Sequence, residues 1–223
     1  MRTSLWHRGA GVACLLLAPL GQLIQFLVSP VGPGDSAAEQ VAAAAAHTGA
    51  MRLAVVLDLP ILLVLPAVLY AGLVAGRSRL ATAGTALTFG TALGAGYLLG
   101  QDIVVQVAAG QADRAGAVAL VEGYATSGVL TGLVALYLVG HVVGFILLGI
   151  ALIRSRAVPA WAGVALSVWP LAEMGGQAAG VRVVAAAGFV LLLAGFAACA
   201  VRLVQGGRPA GSDRVPEPVG AIG

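Results

Sequence analysis

Apolar residues run along this chain in six long blocks, at 9–28, 53–75, 80–99, 129–152, 158–172 and 183–204. A helix needs about 20 predominantly apolar residues to cross the hydrocarbon core of a bilayer, and the blocks meet or approach that length. The pattern predicts an all-α fold: a polytopic transmembrane helix bundle of six spans, occupying 1–205. The fifth block is the shortest and carries Pro170; the second holds Asp58, Pro60 and Pro66. Prolines are tolerated in such helices where neighbours or water satisfy the freed carbonyls. Arg2 and Arg8 precede the first block as they would a secretory signal, but its length predicts a retained helix.

The segments between blocks add structure of their own. Ser36-x-x-Glu39 has the spacing of a capping box, in which each residue satisfies a backbone NH of the other. It predicts a short helix around 36–48, ending near Gly49. The stretch 103–125 mixes Val, Ala and Leu with Asp113, Arg114 and Glu122, and predicts short helices across the outer mouth of the bundle. The tail 206–223, rich in Gly and Pro, predicts a disordered cytoplasmic segment.

Composition agrees with the blocks. Of 223 residues, 60% are hydrophobic and 9% charged, against roughly 25% charged in soluble domains. Too little polar material exists to coat a globule in water. All 12 basic residues are Arg, with no Lys and no Asn, a bias that points to a GC-rich, bacterial genome. It removes any inference from Arg to phosphate, and the net charge of +3 does not imply a nucleic-acid partner, because the arginines sit at block ends.

Their placement predicts orientation instead. With both termini cytoplasmic, Arg2, Arg8, Arg77, Arg79, Arg154, Arg156, Arg202, Arg208 and Arg214 lie inside, and Arg52, Arg114 and Arg182 outside. That asymmetry follows the positive-inside rule and predicts the bacterial inner (plasma) membrane. Cys14 and Cys199 lie in apolar blocks and read as small packing residues.

Close packing through small residues must supply much of the drive for helices to associate in lipid. Gly128, Gly132, Gly140 and Gly144, and Gly90, Gly94, Gly96 and Gly100, recur on the fourth and third spans. They predict glycine faces turned to other helices of the chain, with homo-oligomer contact as an alternative. Gly72-Leu73 before Arg77-Ser78-Arg79 echoes Gly149-Ile150 before Arg154-Ser155-Arg156. Duplicated hairpins would produce this, but so would low-complexity composition, and the match is too short to establish a repeat.

Ionisable groups within a span cost about 2.5–3.5 kcal/mol at the centre on insertion scales, so each needs a reason. The candidates for an outward-facing polar cavity are Gln22, Gln25, Asp58, Asp102, His141 and Glu173. Asp58 and His141 sit deepest and are the candidates for titration or metal binding. The bland alternative makes Asp102, Glu173 and Arg182 interfacial residues and Gln22 and Gln25 interhelical glue. Haem is not expected, since His141 alone lies in a span while His7 and His47 do not. No P-loop, dinucleotide fingerprint, CxxC or nucleophile elbow is present, so no cofactor is expected and an enzyme is disfavoured. Three readings remain: a non-enzymatic binding or scaffold protein holding a small solute or a membrane-protein partner, a small secondary or proton-coupled transporter, and a metal-dependent intramembrane hydrolase.

Arg77-Ser78-Arg79 with Gly84, Asp102 after the third block, and Arg154-Ser155-Arg156-Ala157-Val158-Pro159-Ala160-Trp161 carry one resemblance. The chain resembles uncharacterised six-helix integral membrane proteins of GC-rich bacteria, catalogued as domains of unknown function. That resemblance implies a bundle and no established activity or catalytic residue.

Overall fold

The computed structural model describes residues 5–32 and 34–206, which are helical with no strand among them. Helix α1 is Leu5–Val28 and α2 Ala37–Ala46; α3 runs from Thr48 to Ala75, α4 is Arg79–Ala109 and α5 Arg114–Ala125. Helix α6 runs from Gly128 to Ser155, α7 is Ala160–Ala178 and α8 Arg182–Val204. The tail expected to be disordered, along with Arg2, Arg208 and Arg214, lies outside the described residues.

Among the described residues five helices, α1, α3, α4, α6 and α8, are long and apolar enough to cross a membrane. The sixth expected span, α7, is a helix of 19 residues, but Ser167, Pro170, Glu173 and Gln177 dilute its apolar run. The bundle wears an apolar coat: Leu27, Leu62, Leu73, Val56 and Val201 are each more than half exposed, as lipid-facing side chains are. With five such helices and this coat, the chain has the architecture of a membrane protein.

Two ends can be told apart. At one, the Arg77–Arg79 and Arg154–Arg156 turns lie side by side around one shallow groove. Gly76, at φ +90°, ends α3, and Ser78 caps α4 by accepting from the Ala81 NH at 3.1 Å. Arg156 ends α6 at φ +52°, a left-handed conformation that helix ends usually assign to glycine. Arg8 approaches the end of α8 at Gly206, which brings the start of α1 to the same side.

The opposite end carries a cap with its own small core of Val41, Ala44, Met51, Val105, Ala108, Ala117 and Val121. The capping box forms as the spacing predicts, with the Ser36 NH donating to Glu39 at 2.7 Å and the Ser36 hydroxyl accepting from the Glu39 NH at 3.4 Å. The expectation of short helices throughout 103–125 is corrected. Helix α4 runs unbroken to Ala109, and only α5 is separate, capped by Asp113 on the Gly116 NH at 3.1 Å. At 31 residues and ~1.5 Å per residue, α4 overshoots a ~30 Å core and supplies a wall of the cap. Tyr124 docks α5 there, its hydroxyl donating to the Tyr97 carbonyl at 3.1 Å and its ring stacked on Tyr97 at 5.5 Å.

Glycine sets the closest helix approaches. A Cβ on Gly144 would lie 2.5 Å from the Thr88 nitrogen, one on Gly84 2.6 Å from the Leu148 nitrogen, and one on Gly94 2.5 Å from the Tyr137 Cβ. These residues, with Gly140 against Leu87 and Thr91, close the seam between α4 and α6. The predicted stripes are therefore used only in part: of their eight glycines, Gly96, Gly128 and Gly132 face open space. Gly72 and Gly149, the glycines of the sequence echo, each seat a tight hairpin, against Thr85 and against Gly163 and Ser167.

Candidate functional site

Six helices leave a cavity of about 240 Å³ between them, toward the capped end, and every one of α1, α3, α4, α6, α7 and α8 contributes to its wall. Gln22, Gln25, Asp58, Asp102, His141 and Glu173, the six residues singled out from the sequence, all line it. Their contacts explain how polar groups persist there. One turn apart on α1, Gln22 and Gln25 reach different partners: Nε2 of Gln22 donates to Asp58 at 2.8 Å, and Nε2 of Gln25 donates to Asp102 at 2.9 Å. On α7 the Gln177 amide donates to Glu173, whose other oxygen meets His141 Nε2 at 3.2 Å. Each of the three carboxylates thus holds one carboxamide donor.

Local backbone irregularity aims these groups. Asp58 closes the first α-helical part of α3, Thr48–Asp58, and a 3-10 turn follows at Leu59–Leu63, opened by Pro60. Pro60 packs beside Gly21 of α1, and the tightened turn leaves Asp58 buried, 3% exposed, facing Gln22. His141 lies in a π-helical turn, Gly140–Gly144. Such turns insert a residue into a helix and recur at functional sites. Here the two flanking glycines let the widened turn press against α4 while the imidazole points to α7. In α7, Pro170 stands between Trp169 and Glu173, removing one backbone donor beside the cavity.

The imidazole sits among rings. Tyr137 stacks on it at 4.7 Å, and Trp169 meets it edge-on at 4.4 Å. Phe145 and Phe189 complete that wall against Trp169 at 5.0 and 6.1 Å. His141 is 2% and Glu173 5% exposed, so their contact is shielded from solvent on the protein side. Two buried polar atoms in the same wall have no partner among the described residues: the Thr91 hydroxyl and the Trp169 indole NH. Buried polar groups are nearly always hydrogen-bonded, and two orphans in one polar cavity leave hydrogen-bonding capacity for water or a bound molecule.

The structure corrects one placement: Asp102 was expected beyond the third span, whereas it lies within α4 and turns inward to Gln25. Of the residues that the interfacial alternative grouped together, Glu173 is buried against His141 in the cavity wall. Arg182 lines no part of the cavity; it donates to the Phe26 and Ser29 carbonyls at 2.8 and 3.2 Å and lies 5.4 Å over the Phe26 ring, tying α8 to the end of α1. Tyr137, Trp169 and Gln177 were not among the sequence candidates. Their signal was helical spacing, since Tyr137, His141 and Phe145, and Trp169, Glu173 and Gln177, each recur every four residues and so share a face.

Chemically the arrangement can hold protons and bind a polar or charged solute. Among the described residues no three His, Cys, Asp or Glu side chains cluster closely enough to hold a metal ion, and Asp58 and His141 have separate partners. Compared with protein-family models, curated proteins and solved structures, the chain matches none.

Proposed function

We propose that this chain is a multi-pass protein of the bacterial plasma membrane whose outer half binds a small solute in the cavity between its helices. Six spans and cytoplasmic termini belong to this reading. At ~1.5 Å per residue, the 19 residues of α7 reach ~28 Å, just short of a ~30 Å core and within the range of about 17–25 residues that spanning helices have. Among the described residues, Arg8, Arg77, Arg79, Arg154, Arg156 and Arg202 belong to the uncapped end and Arg52, Arg114 and Arg182 to the capped end. The positive-inside rule then puts the cap and the cavity outside.

One observation carries the binding reading: three carboxylates, a histidine and two unpartnered polar atoms converge on one cavity. Interhelical glue alone would pair its polar groups completely. The test is a thermal-stability screen of purified protein against small cationic, neutral and anionic solutes. One class should raise the midpoint, and Ala95→Phe, which fills the cavity from α4, should abolish the rise. Absence of any stabilising solute, or a rise that Ala95→Phe leaves intact, refutes the reading.

A proton-coupled carrier is the second reading, favoured by the irregular backbone in three cavity walls: the 3-10 turn beside Asp58, the π turn bearing His141, and Pro170. Transporters place discontinuous helices at their substrate sites. Asp58→Asn should then abolish solute uptake into proteoliposomes while leaving the fold intact, and unchanged flux would remove this reading.

A further inference from the structure

We infer that the solute this cavity takes is a small organic cation with an apolar body; the inference rests on the binding reading above and names the ligand class for that site. Charge comes first. Asp58, Asp102 and Glu173 line the cavity, and among the described residues no arginine does. Against three carboxylates stands one imidazole, so even a protonated His141 leaves the wall acidic when the carboxylates are ionised. Glutamine amides donate to each carboxylate, but they bring no net charge. Carboxylates in a low-dielectric site must be neutralised by a proton or a cation. A bound anion would add repulsion, and a neutral solute would leave the imbalance as it was.

The rest of the wall selects the kind of cation. Phe26, Tyr137, Phe145, Trp169 and Phe189 bring five aromatic side chains to the lining. Faces of such rings attract organic ammonium groups and pack against their alkyl or aryl parts. A hard inorganic cation would want several converging oxygens at short range, and no three acidic or imidazole groups cluster that closely among the described residues. Size limits the ligand: 240 Å³ holds about eight waters at roughly 30 Å³ each. Thr91 and Trp169 are both 4% exposed, and their unpartnered hydroxyl and indole NH add one group able to accept from an ammonium and one able to donate to a ligand oxygen.

Trp169 also supplies the readout. In a Trp6→Phe, Trp161→Phe background the remaining indole lies in the cavity wall, and its fluorescence is titrated with benzylammonium, benzyl alcohol and benzoate near pH 7. These share a ring and differ in charge. The expected result is a saturable change with benzylammonium at a half-saturation about tenfold or more below that for benzyl alcohol, and none with benzoate. Asp102→Asn and Glu173→Gln should each move benzylammonium toward the benzyl alcohol value. Equal response to the alcohol, or preference for benzoate, overturns the cation assignment and leaves the binding reading standing. No saturable response to any probe, or one that persists in Ala95→Phe, overturns both. The comparison of three probes needs no carboxylate variant, so it decides the matter even where Asp102→Asn fails to fold.

Discussion

Replacing Gly144 with alanine puts a methyl group into the seam between α6 and α4, where its carbon would lie 2.5 Å from the Thr88 nitrogen and 2.9 Å from the Thr88 Cα. Ordinary contact begins at 3.4 Å, so the helices must part by about 0.9 Å, the difference between the two distances, or twist to escape. Swinging the Thr88 side chain aside would not relieve the clash, since two of the three atoms met are backbone and its buried hydroxyl, 2.6 Å away, already donates to the Gly84 carbonyl at 2.8 Å. Overpacking of this kind costs about 1–3 kcal/mol. Alanine also improves helix propensity over glycine by up to ~1 kcal/mol, which would mask part of the loss. Gly132→Ala isolates that gain, because a Cβ at Gly132 meets nothing within 4 Å. The difference between the two variants should therefore be about 1–3 kcal/mol, with Gly144→Ala the less stable. Denaturant titration in mixed micelles, followed by far-ultraviolet circular dichroism, measures it. Equal stability, or a larger loss at Gly132, would refute the assignment of this seam. His141 lies in the same π turn, so Gly144→Ala should also weaken solute binding.

Three other outcomes follow from single contacts. Gln25→Leu removes the amide that donates to Asp102 and leaves a half-buried carboxylate short of a donor, a loss of about 1–3 kcal/mol in the same titration; no loss would mean that the pair is not formed. Tyr124→Phe deletes the hydroxyl bonded to the Tyr97 carbonyl, and hydrogen exchange should rise in α5 with a cost near 1 kcal/mol, whereas unchanged exchange would show that the ring stack alone docks it. In the cap, bonds from the Ser36 hydroxyl and backbone hold the Glu39 carboxyl below its ordinary value of 4.5. A depressed acid stabilises the fold above the unfolded value and loses that contribution as pH falls through the folded one. Protection of α2, taken as exchange relative to the intrinsic rate at each pH, should therefore fall below about pH 4.5 in the unaltered protein and lose this step in Glu39→Gln; an identical acid profile in both would contradict it.

Much of the bundle was legible because lipid imposes a simple rule on sequence: apolar blocks must be about as long as the core is thick. The same rule hid what lies beyond the core. Helix α4 was ended near Leu99 because its apolar run ends there, yet 100–109 holds no proline and the backbone has no reason to stop. Asp102 therefore stays on a helical face, aligned with Gln25, instead of entering a loop. The six polar candidates were visible because charge in an apolar block is costly, and the cost has to be met by partners. Which partners they take was not visible, since Gln22 with Asp58 and His141 with Glu173 are joined only by packing of distant segments. The π turn was equally hidden: Gly140 and Gly144 suggested close packing, but nothing in a four-residue spacing shows that a helix widens there. The aromatic wall was missed because Tyr137 and Trp169 read as ordinary residues of apolar spans.

Reactivity of a single cysteine tests the existence of a cavity open to the outside most directly. In a background of Cys14→Ser and Cys199→Ala, intact cells carrying Gln25→Cys, Ser78→Cys or Ser155→Cys are treated with a membrane-impermeant methanethiosulfonate. Gln25 lies in the cavity wall, whereas Ser78 and Ser155 lie in the two arginine-flanked turns at the far end. Gln25→Cys should react in intact cells and be protected by benzylammonium, and the two turn positions should react only after permeabilisation. A Gln25→Cys that stays inert in intact cells while Ser78→Cys or Ser155→Cys reacts there would contradict both the orientation and the outward opening of the cavity.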